Sequence, residues 1–395
     1  MKKINFDQLF FNSILDLKKK NLDRRLRLLT KIDAVKVRYK QKTLLNFSSN
    51  DYLGLSQNKT IKNYTINIIK KYGIGSGSSR LVSGNFDFHE KTEKELAKKK
   101  KSEAAIIFST GYLANYSILS SIFNSNIFKK NPIVFSDKLN HQCIYEGCKN
   151  KDIKFLRFHH NDMNHLEYLL KKNKFKSNPK FILSETVFSM DGDFADIEGL
   201  VFLKKKYNAF LFLDEAHATG IYGKNGFGLS VKFSKDIDCV TGTFSKAFGS
   251  FGAYVACSKK FKSFLINNCP SFIYSTALPF SLLASILSAI KIVPKLGKQR
   301  QILRNNSLFL RNSLKYVGFN ICNSQTHIVP IIIGDPNKTI LISNKLENKG
   351  LYLAPIRPPS VPSNSSRLRI SVSSLHKLNH LNTLIKELKN LSHEF

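Results

Sequence analysis

The sequence predicts an α/β protein: a mainly parallel, doubly wound sheet followed by a smaller C-terminal α+β domain. Three observations carry this expectation. The apolar runs PIVFSD, IKFLRFH, KFILSE, AFLFLD and DCVTGTF follow one another with a regular beat, each trailed by a stretch long enough for a crossover. Such runs are the mark of βαβ units in a sheet buried on both faces, and right-handed crossovers wind that sheet on both sides. Past Leu278-Pro279 the beat gives way to longer helical text (SLLASILSAIKIV, QRQILRNNSLFLRNSL), short strands near IVPIIIG and RLRISV, and a final helix. A chain of 395 residues with 42% hydrophobic content also has enough apolar material for two to three structural units.

Taken in order, residues 1–45 read as an N-terminal arm, with a helix expected through the Lys18 to Leu29 region, leading into the extended segment LLNFSSNDYLGLS. The Gly/Ser cluster GIGSGSSRLVSG marks a long ordered loop. HEKTEKELAKKKK is helical, AAIIF is a strand, and Ser109-Thr110-Gly111-Tyr112 opens the helix LANYSILSSIF. AYVACS follows DCVTGTF after only a short glycine-rich loop, too short for a crossover, so it adds an antiparallel strand. The expected boundaries are an arm over 1–45, a large domain over 46–285 and a small domain over 286–395, with the arm completing the small domain.

Composition excludes several classes. No stretch approaches the apolar length of a membrane-spanning helix, and the N-terminus, which carries Asp7 and Asp16, resembles neither a secretory signal nor a transit peptide. No membrane partner and a cytoplasmic location are therefore expected. Six cysteines without a CxxC pair fit a reducing compartment and argue against a metal site. The 62 Lys+Arg against 28 Asp+Glu give a net charge of +34, but the lysines are spread over the whole chain beside Asn and Ile. A compositional bias explains that spread better than a nucleic-acid footprint, which would cluster on one element.

In a doubly wound sheet, ligands bind beyond the carboxyl ends of the strands. The polar residues that follow the apolar runs are Gly111 and Tyr112, Asn140 and His141, Ser189 with Asp191, Asp214, Glu215 and His217, and Thr243, Ser245 and Lys246. A glycine opening a helix exposes backbone N–H groups and the positive helix end to a phosphate. Lys246, in TGTFSKAFGSFGAY, has small neighbours that leave room for a bulky group on its amine, and an enclosed apolar setting favours the neutral nucleophile that a Schiff base needs. Asp214 could pair with a cationic ring nitrogen, as in pyridoxal phosphate sites, with His217 near a ring oxygen. Each residue also has a structural alternative: a tight turn at Gly111, a helix cap at Asp214, a loop histidine at His217 or His141, an exposed lysine at 246. No P-loop or properly placed GxGxxG occurs.

Eight segments in order resemble the α-oxoamine synthases, pyridoxal-phosphate (PLP) enzymes of the type I aminotransferase fold, over nearly the whole length. They are NFSSNDYLGL (46–55), GIGSGSSRLVSGN (73–85), FSTGYLAN (108–115), SDKLNH (136–141), ETVFSMDGD (185–193), LDEAHATGIYG (213–223), TGTFSKAFGSFGAY (241–254) and IYSTALP (273–279). The segment IRPPSVPSNSSRLRISVSSLH (356–376) is similar to that of the members that form 8-amino-7-oxononanoate. The resemblance implies decarboxylative condensation of L-alanine with a pimeloyl thioester, on CoA or acyl carrier protein, in biotin biosynthesis. The other activities of the family remain the alternative. A non-catalytic nucleic-acid-binding protein on the same fold is disfavoured by the presence of Lys246, Asp214 and His141.

By resemblance, Lys246 holds PLP and moves the α-proton, Asp214 keeps the ring nitrogen protonated, and His141 stacks on the ring. His217 and Ser189 lie near the ring hydroxyl. Gly111, Tyr112, Thr243, and Ser275 or Thr276 from the second subunit of a homodimer hold the phosphate. For the substrate carboxylate the expected cation is Arg369, whose planar guanidinium can bind both oxygens, assisted by Asn50; Arg357 and Arg80 are weaker candidates for carboxylate or thioester contacts, with a structural salt bridge the equal alternative for each. The chain departs from the family at Lys98 to Lys101, where an apolar pair and a glycine are usual. Lysine stems there are expected to cover apolar surface with their heads in water.

Overall fold

The structure is a computed structural model that describes residues 4–150, 152–174 and 177–395. Its contacts group the chain into two units: the chain before Asn50 with Met190–Gly192 and Ile302–Phe395, and a larger one of Asn50–Ser189 and Asp193–Gln301.

The larger unit is built on seven strands: β1 (Ala104–Phe108), β2 (Ile133–Asp137), β3 (Lys154–Phe158), β4 (Lys180–Glu185), β5 (Ala209–Asp214), β6 (Cys239–Thr243) and β7 (Ala253–Cys257). They lie in the order β3-β2-β4-β5-β6-β7-β1. All neighbours from β3 to β6 are parallel, and β7, the AYVACS strand, is antiparallel to both β6 and β1, as its short connection requires. Every residue of β1, β2, β6 and β7 is buried. Alternate side chains serve two cores: Val134, Phe181, Leu183 and Phe212 on one face, Phe135, Ile182, Leu211 and Leu213 on the other. The direction of winding reverses between β2 and β4, which opens a crevice at the carboxyl ends of the strands.

The helix Phe280–Ile292 packs on the helices Lys59–Tyr72 and Asp87–Lys100, so the contacts keep it with the larger unit and place the division at Gln301 instead of 285. In the smaller unit, Thr30–Lys31, Lys36–Tyr39, Lys42–Asn46 and Leu351–Tyr352 form one sheet. Ile328–Gly334, Ser366–Ser371 and Pro355–Ile356 form another. The arm thus joins the C-terminal part through the parallel pairing of Leu45 with Leu351.

Two local expectations are corrected. The arm's helix is Phe6–Lys19, not Lys18 to Leu29. Asn5 caps it by accepting from the Gln8 amide at 3.1 Å, while Asn21, in the left-handed region at φ 52°, turns the chain out of helix ahead of the arginine-rich stretch. In the lysine run, Lys98 and Lys101 are exposed, but Lys100 is buried. Its Nζ pairs with Glu215 and donates to the Phe227 carbonyl at 2.8 Å and to Ser230 Oγ at 3.1 Å. Lys101 takes the left-handed cap position at φ 54°, a conformation a glycine would adopt at no steric cost. Among the described residues no single helix is long and apolar enough to cross a membrane.

Candidate active site

Residues from five of the seven strand ends gather in the crevice, beginning with Asp214, the last residue of β5 and buried. Its Oδ2 accepts from Asn115 Nδ2 at 2.5 Å and its Oδ1 from the Ala216 amide at 2.7 Å. Asn115 is itself fixed, because its Oδ1 accepts from Thr241 Oγ1 at 2.7 Å. The carboxylate is therefore clamped on both oxygens before any ligand arrives. Glu185, the last residue of β4, is Asp214's partner in register. Burial, then the charge of Asp214, push the Glu185 carboxyl well above the usual carboxylate range.

Lys246 stands three residues beyond β6, half-buried, with its Nζ 2.8 Å from His217 Nε2. His217 is buried, and its Nδ1 lies 2.7 Å from the hydroxyl of Tyr52. That hydroxyl in turn donates to Asn50 Oδ1 at 2.9 Å. Four side chains from three separate stretches of sequence thus form one hydrogen-bonded row.

His141 caps the helix Gln142–Gly147, accepting from the Cys143 amide on Nδ1 at 3.2 Å. Its own amide donates to Glu185 Oε1 at 2.6 Å, which ties the loop after β2 to the end of β4 across the reversal of winding. The ring is open to solvent on one side, yet the protein around it is close enough that desolvation lowers its pKa; Asp214 opposes this and Lys246 adds to it. The imidazole is thereby favoured in its neutral form, suited to lie against an aromatic ring.

Gly111 opens the fourteen-residue helix Gly111–Asn124, and Thr110 caps it by accepting from the Leu113 amide at 3.1 Å. A Cβ on Gly111 would stand 3.8 Å from Thr243 Cβ, so the helix start and the end of β6 face one another closely. The first-turn amides at Gly111 and Tyr112 have no acceptor within the helix, and Thr243 is buried beside them. Ser189 is buried in the loop after β4. Ser275 and Thr276 lie apart in the segment that pairs Thr276 with Ser79, next to Tyr274, which is 84% exposed.

Arg369 and Arg357 belong to the smaller unit. Arg369 lies buried in the strand Ser366–Ser371, where Nη1 donates to Ser371 Oγ at 2.9 Å. Its neighbour on the same face, Arg367, is held by Asp191 at 2.9 Å and by the Met190 carbonyl at 3.1 Å. Arg357 holds the arm, donating to the carbonyls of Asn21 and Asp23. Arg80, in the larger unit, is taken up by an ion pair with Glu93 and by Asn85 at 2.6 Å.

Sequence reasoning missed Asn115, Glu185 and Tyr52. Each stood inside a quoted motif, FSTGYLAN, ETVFSMDGD or NDYLGL. The signal available was a polar residue at a position that should point into the core, but strand-end residues drew the attention.

This donor set fits PLP: a clamped carboxylate for a cationic ring nitrogen, a lysine amine, a histidine favoured neutral, and helix-terminal amides for a phosphate. The fold and these residues define a PLP-dependent enzyme, and the family model that matches residues 42–388 is that of aminotransferase class I and II. An 8-amino-7-oxononanoate synthase of Gluconacetobacter diazotrophicus is 39% identical over 391 residues, 98% of each chain. A Bordetella bronchiseptica protein, provisionally given the same name, is 41% identical over 382 residues, 97% of this chain and 96% of that one. Among solved structures, a serine palmitoyltransferase from S. paucimobilis with a bound PLP–myriocin adduct has a TM-score of 0.89 at 27% identity, covering 98% of this chain and 97% of that chain. An 8-amino-7-oxononanoate synthase from Francisella tularensis has a TM-score of 0.75 at 27% identity, covering 89% and 98%. The chain belongs to the aminotransferase class I and II family and, within it, to the α-oxoamine synthases, PLP-dependent acyltransferases.

Proposed function

We propose that this chain condenses L-alanine with a pimeloyl thioester, releasing carbon dioxide, to give 8-amino-7-oxononanoate and the free carrier thiol in biotin biosynthesis. One observation carries the choice of substrates: relatives matched over nearly the full length at 39 and 41% identity bear the name of that activity. The IRPP…RLR segment supports it from the sequence.

When bound, PLP supplies the electron sink for the charge left on the alanine α-carbon. Lys246 would hold the cofactor and, once alanine displaces it, receive the α-proton at Nζ. His217, whose Nε2 lies 2.8 Å from that Nζ, would lie near the ring hydroxyl. Asp214 would hold the proton on the ring nitrogen, its two oxygens fixed by Asn115 and the Ala216 amide. His141 would cover the ring face and Ser189 lie near the ring hydroxyl. The amides of Gly111 and Tyr112 and the Thr243 hydroxyl would bind the phosphate, with Ser275 or Thr276 supplied by a second copy in a homodimer. Arg369 and Asn50 would take the alanine carboxylate, and Arg357 is a weaker candidate for the acyl donor. The α-carbon bonds to the acyl carbonyl carbon, the C–S bond breaks and the thiol leaves, and the carboxylate departs as CO2 with a proton taking its place. This reading includes a cytoplasmic location, where CoA and acyl carrier protein thioesters are available.

A second reading, condensation of serine with a palmitoyl thioester, draws on the TM-score of 0.89 to serine palmitoyltransferase, although identity there is only 27%. Purified protein with PLP is expected to show a visible absorption band that borohydride abolishes and that Lys246→Ala lacks. It should release CO2 from alanine only with pimeloyl-CoA or pimeloyl-acyl carrier protein. Turnover of serine with palmitoyl-CoA but not of alanine with either pimeloyl donor would overturn the assignment. Mixing Lys246→Ala with a Ser275→Ala/Thr276→Ala double variant tests the shared site: one competent site per heterodimer is expected, and heterodimers without activity would refute it.

A further inference from the structure

Three neighbouring strand ends meet at a side chain that the sequence did not single out. His160 lies two residues beyond β3 with its ring between two carboxylates: Nδ1 is 2.9 Å from Asp137 Oδ1 and Nε2 is 2.8 Å from Asp193 Oδ2. Asp137 is the last residue of β2, and Asp193 lies in the loop after β4. Their side chains are 1% and 9% exposed, and among the described residues neither pairs with a lysine or an arginine. Asp137 also accepts from the Leu139 amide on Oδ1 and from the Asn161 amide on Oδ2, each at 2.8 Å. A carboxyl group that accepts on both oxygens in this way is ionised, so Nδ1 donates to it. Asp193 Oδ2 has the imidazole as its donor, while Oδ1 has no partner among the described residues. A buried carboxylate with so little else around it calls for a cation at that contact. Desolvation works against a charged ring at His160, but the hydrogen bonds and charges of the two carboxylates outweigh it.

Each carboxylate belongs to a segment that carries a residue of the candidate site. Asp137 turns the chain beyond β2, its side chain accepting from the Leu139 amide and its carbonyl from the Asn140 amide at 3.2 Å. Asn140 Nδ2 then donates to the Leu183 carbonyl at 2.8 Å and the His141 amide to Glu185 Oε1 at 2.6 Å, so His141 stands at the end of a braced turn. On the other side Asp193 closes a loop, because its carbonyl accepts from the Phe188 amide at 3.1 Å and Val187 pairs with Phe194. Ser189 is the next residue inside that loop. The His160 ring also meets the Phe188 ring edge-on, at 4.4 Å between centroids and 87° between planes.

We propose that His160 is a positioning residue: its imidazolium bonds Asp137 and Asp193 at once and fixes the turn that carries His141 against the loop that carries Ser189. The proposal rests on the reading of those two residues as neighbours of the PLP ring, one at its face and one near its hydroxyl. Both links run through N–H groups of one rigid five-membered ring, so the ring sets the spacing of the two carboxylates. A neutral imidazole has one N–H and could hold only one of them by donation.

The test uses the full chain labelled with ¹⁵N-histidine, with and without PLP, at about pH 8, where an imidazole of ordinary pKa, about 6.5, is neutral. The His160 ring signals are identified by their loss in His160→Gln, and both ring nitrogens are expected to be protonated. With PLP bound, His160→Gln should change the visible circular dichroism of the cofactor, which reports how its ring is held. It should also slow α-proton exchange of saturating alanine by roughly tenfold or more, with the alanine KM little changed. Asp193→Ala should do the same, whereas Asp193→Asn, whose carbonyl oxygen can still accept from Nε2, should keep most of the parental spectrum and rate. A role in stability alone would lower the melting temperature of His160→Gln and leave its dichroism and exchange rate at the parental values. That outcome overturns the proposal, as does an unprotonated His160 nitrogen in the unaltered chain. If His160→Gln does not fold, the His160 signals are those that shift in Asp193→Asn, and Asp193→Ala and Asp193→Asn alike in spectrum and rate overturn the proposal. The functional reading fails separately, by absence of the borohydride-sensitive band or of alanine exchange in the unaltered chain.

Discussion

Replacing Lys100 by methionine would leave Glu215 without its cation in the interior of the larger unit. The two side chains are 1% and 0% exposed. Removing one partner of a buried ion pair costs about 3–5 kcal/mol, and here the Phe227 carbonyl also loses its donor. Glu215 keeps the Ser230 amide at 2.8 Å and the Ser230 hydroxyl at 2.7 Å, which holds the loss near ~4 kcal/mol. At roughly 2–4 °C per kcal/mol for a domain of this size, the expected fall in melting temperature is roughly 10 °C. The pair matters to the site because Glu215 anchors the far side of the loop that carries Asp214 and His217; a Cβ on Gly228, at φ +97°, would collide with its carboxylate. Calorimetry of Lys100→Met, Glu215→Leu and the double variant, each with and without PLP, measures the coupling. The singles should lose several kcal/mol and the double recover most of it, since an apolar pair of similar volume is about as stable as the ion pair. Burial lowers the Lys100 pKa, but Glu215 outweighs it and raises the value above that of a free lysine. The stability that this raised pKa gives the unaltered chain should accordingly be fully present below the free-lysine value and be lost only as pH climbs past it. A single variant within about 1 kcal/mol of the parent, or a double no better than either single, would refute the reasoning.

Three further outcomes follow, two from the larger unit and one from the charge of the whole chain. Burial works against a charged ring at His160, but Asp137 at 2.9 Å and Asp193 at 2.8 Å more than compensate and raise its pKa from 6.5 to about 10. A raised folded pKa stabilises fully below 6.5 and is lost as pH climbs through about 10, so denaturation midpoints should fall between those values in the parent; His160→Gln, if its slope is unchanged, removes this group as the cause. Asp214→Asn should lower kcat by roughly 10²–10³ with the fold intact, and near-parental α-proton exchange of alanine would count against its role. The net charge of +34 should steer a polyanionic thioester donor, so its second-order rate constant should drop with salt more steeply than that for zwitterionic alanine; equal slopes would leave the charge without a kinetic role.

The period of the sheet was legible from the chain alone, because a strand buried on both faces must be apolar throughout and a crossover needs a minimum length. PIVFSD, KFILSE, AFLFLD and DCVTGTF became β2, β4, β5 and β6, and the short link before AYVACS required the antiparallel β7. Asp214 and Lys246 were legible as candidates because ligands bind beyond the carboxyl ends of the strands in such a sheet. What the sequence could not show was which of them touch. The pairing of Glu185 with Asp214, the clamp of Asn115 on that carboxylate and the row from Lys246 to Asn50 join residues far apart in the chain, and hydrogen bonds of this kind depend on angles that only packed elements set. Lys100 makes the same point most sharply. A lysine in a run of lysines belongs in water by every local rule, and only the arrival of Glu215 from more than a hundred residues away makes its burial possible, since a charge can leave water only where another charge is already fixed to receive it.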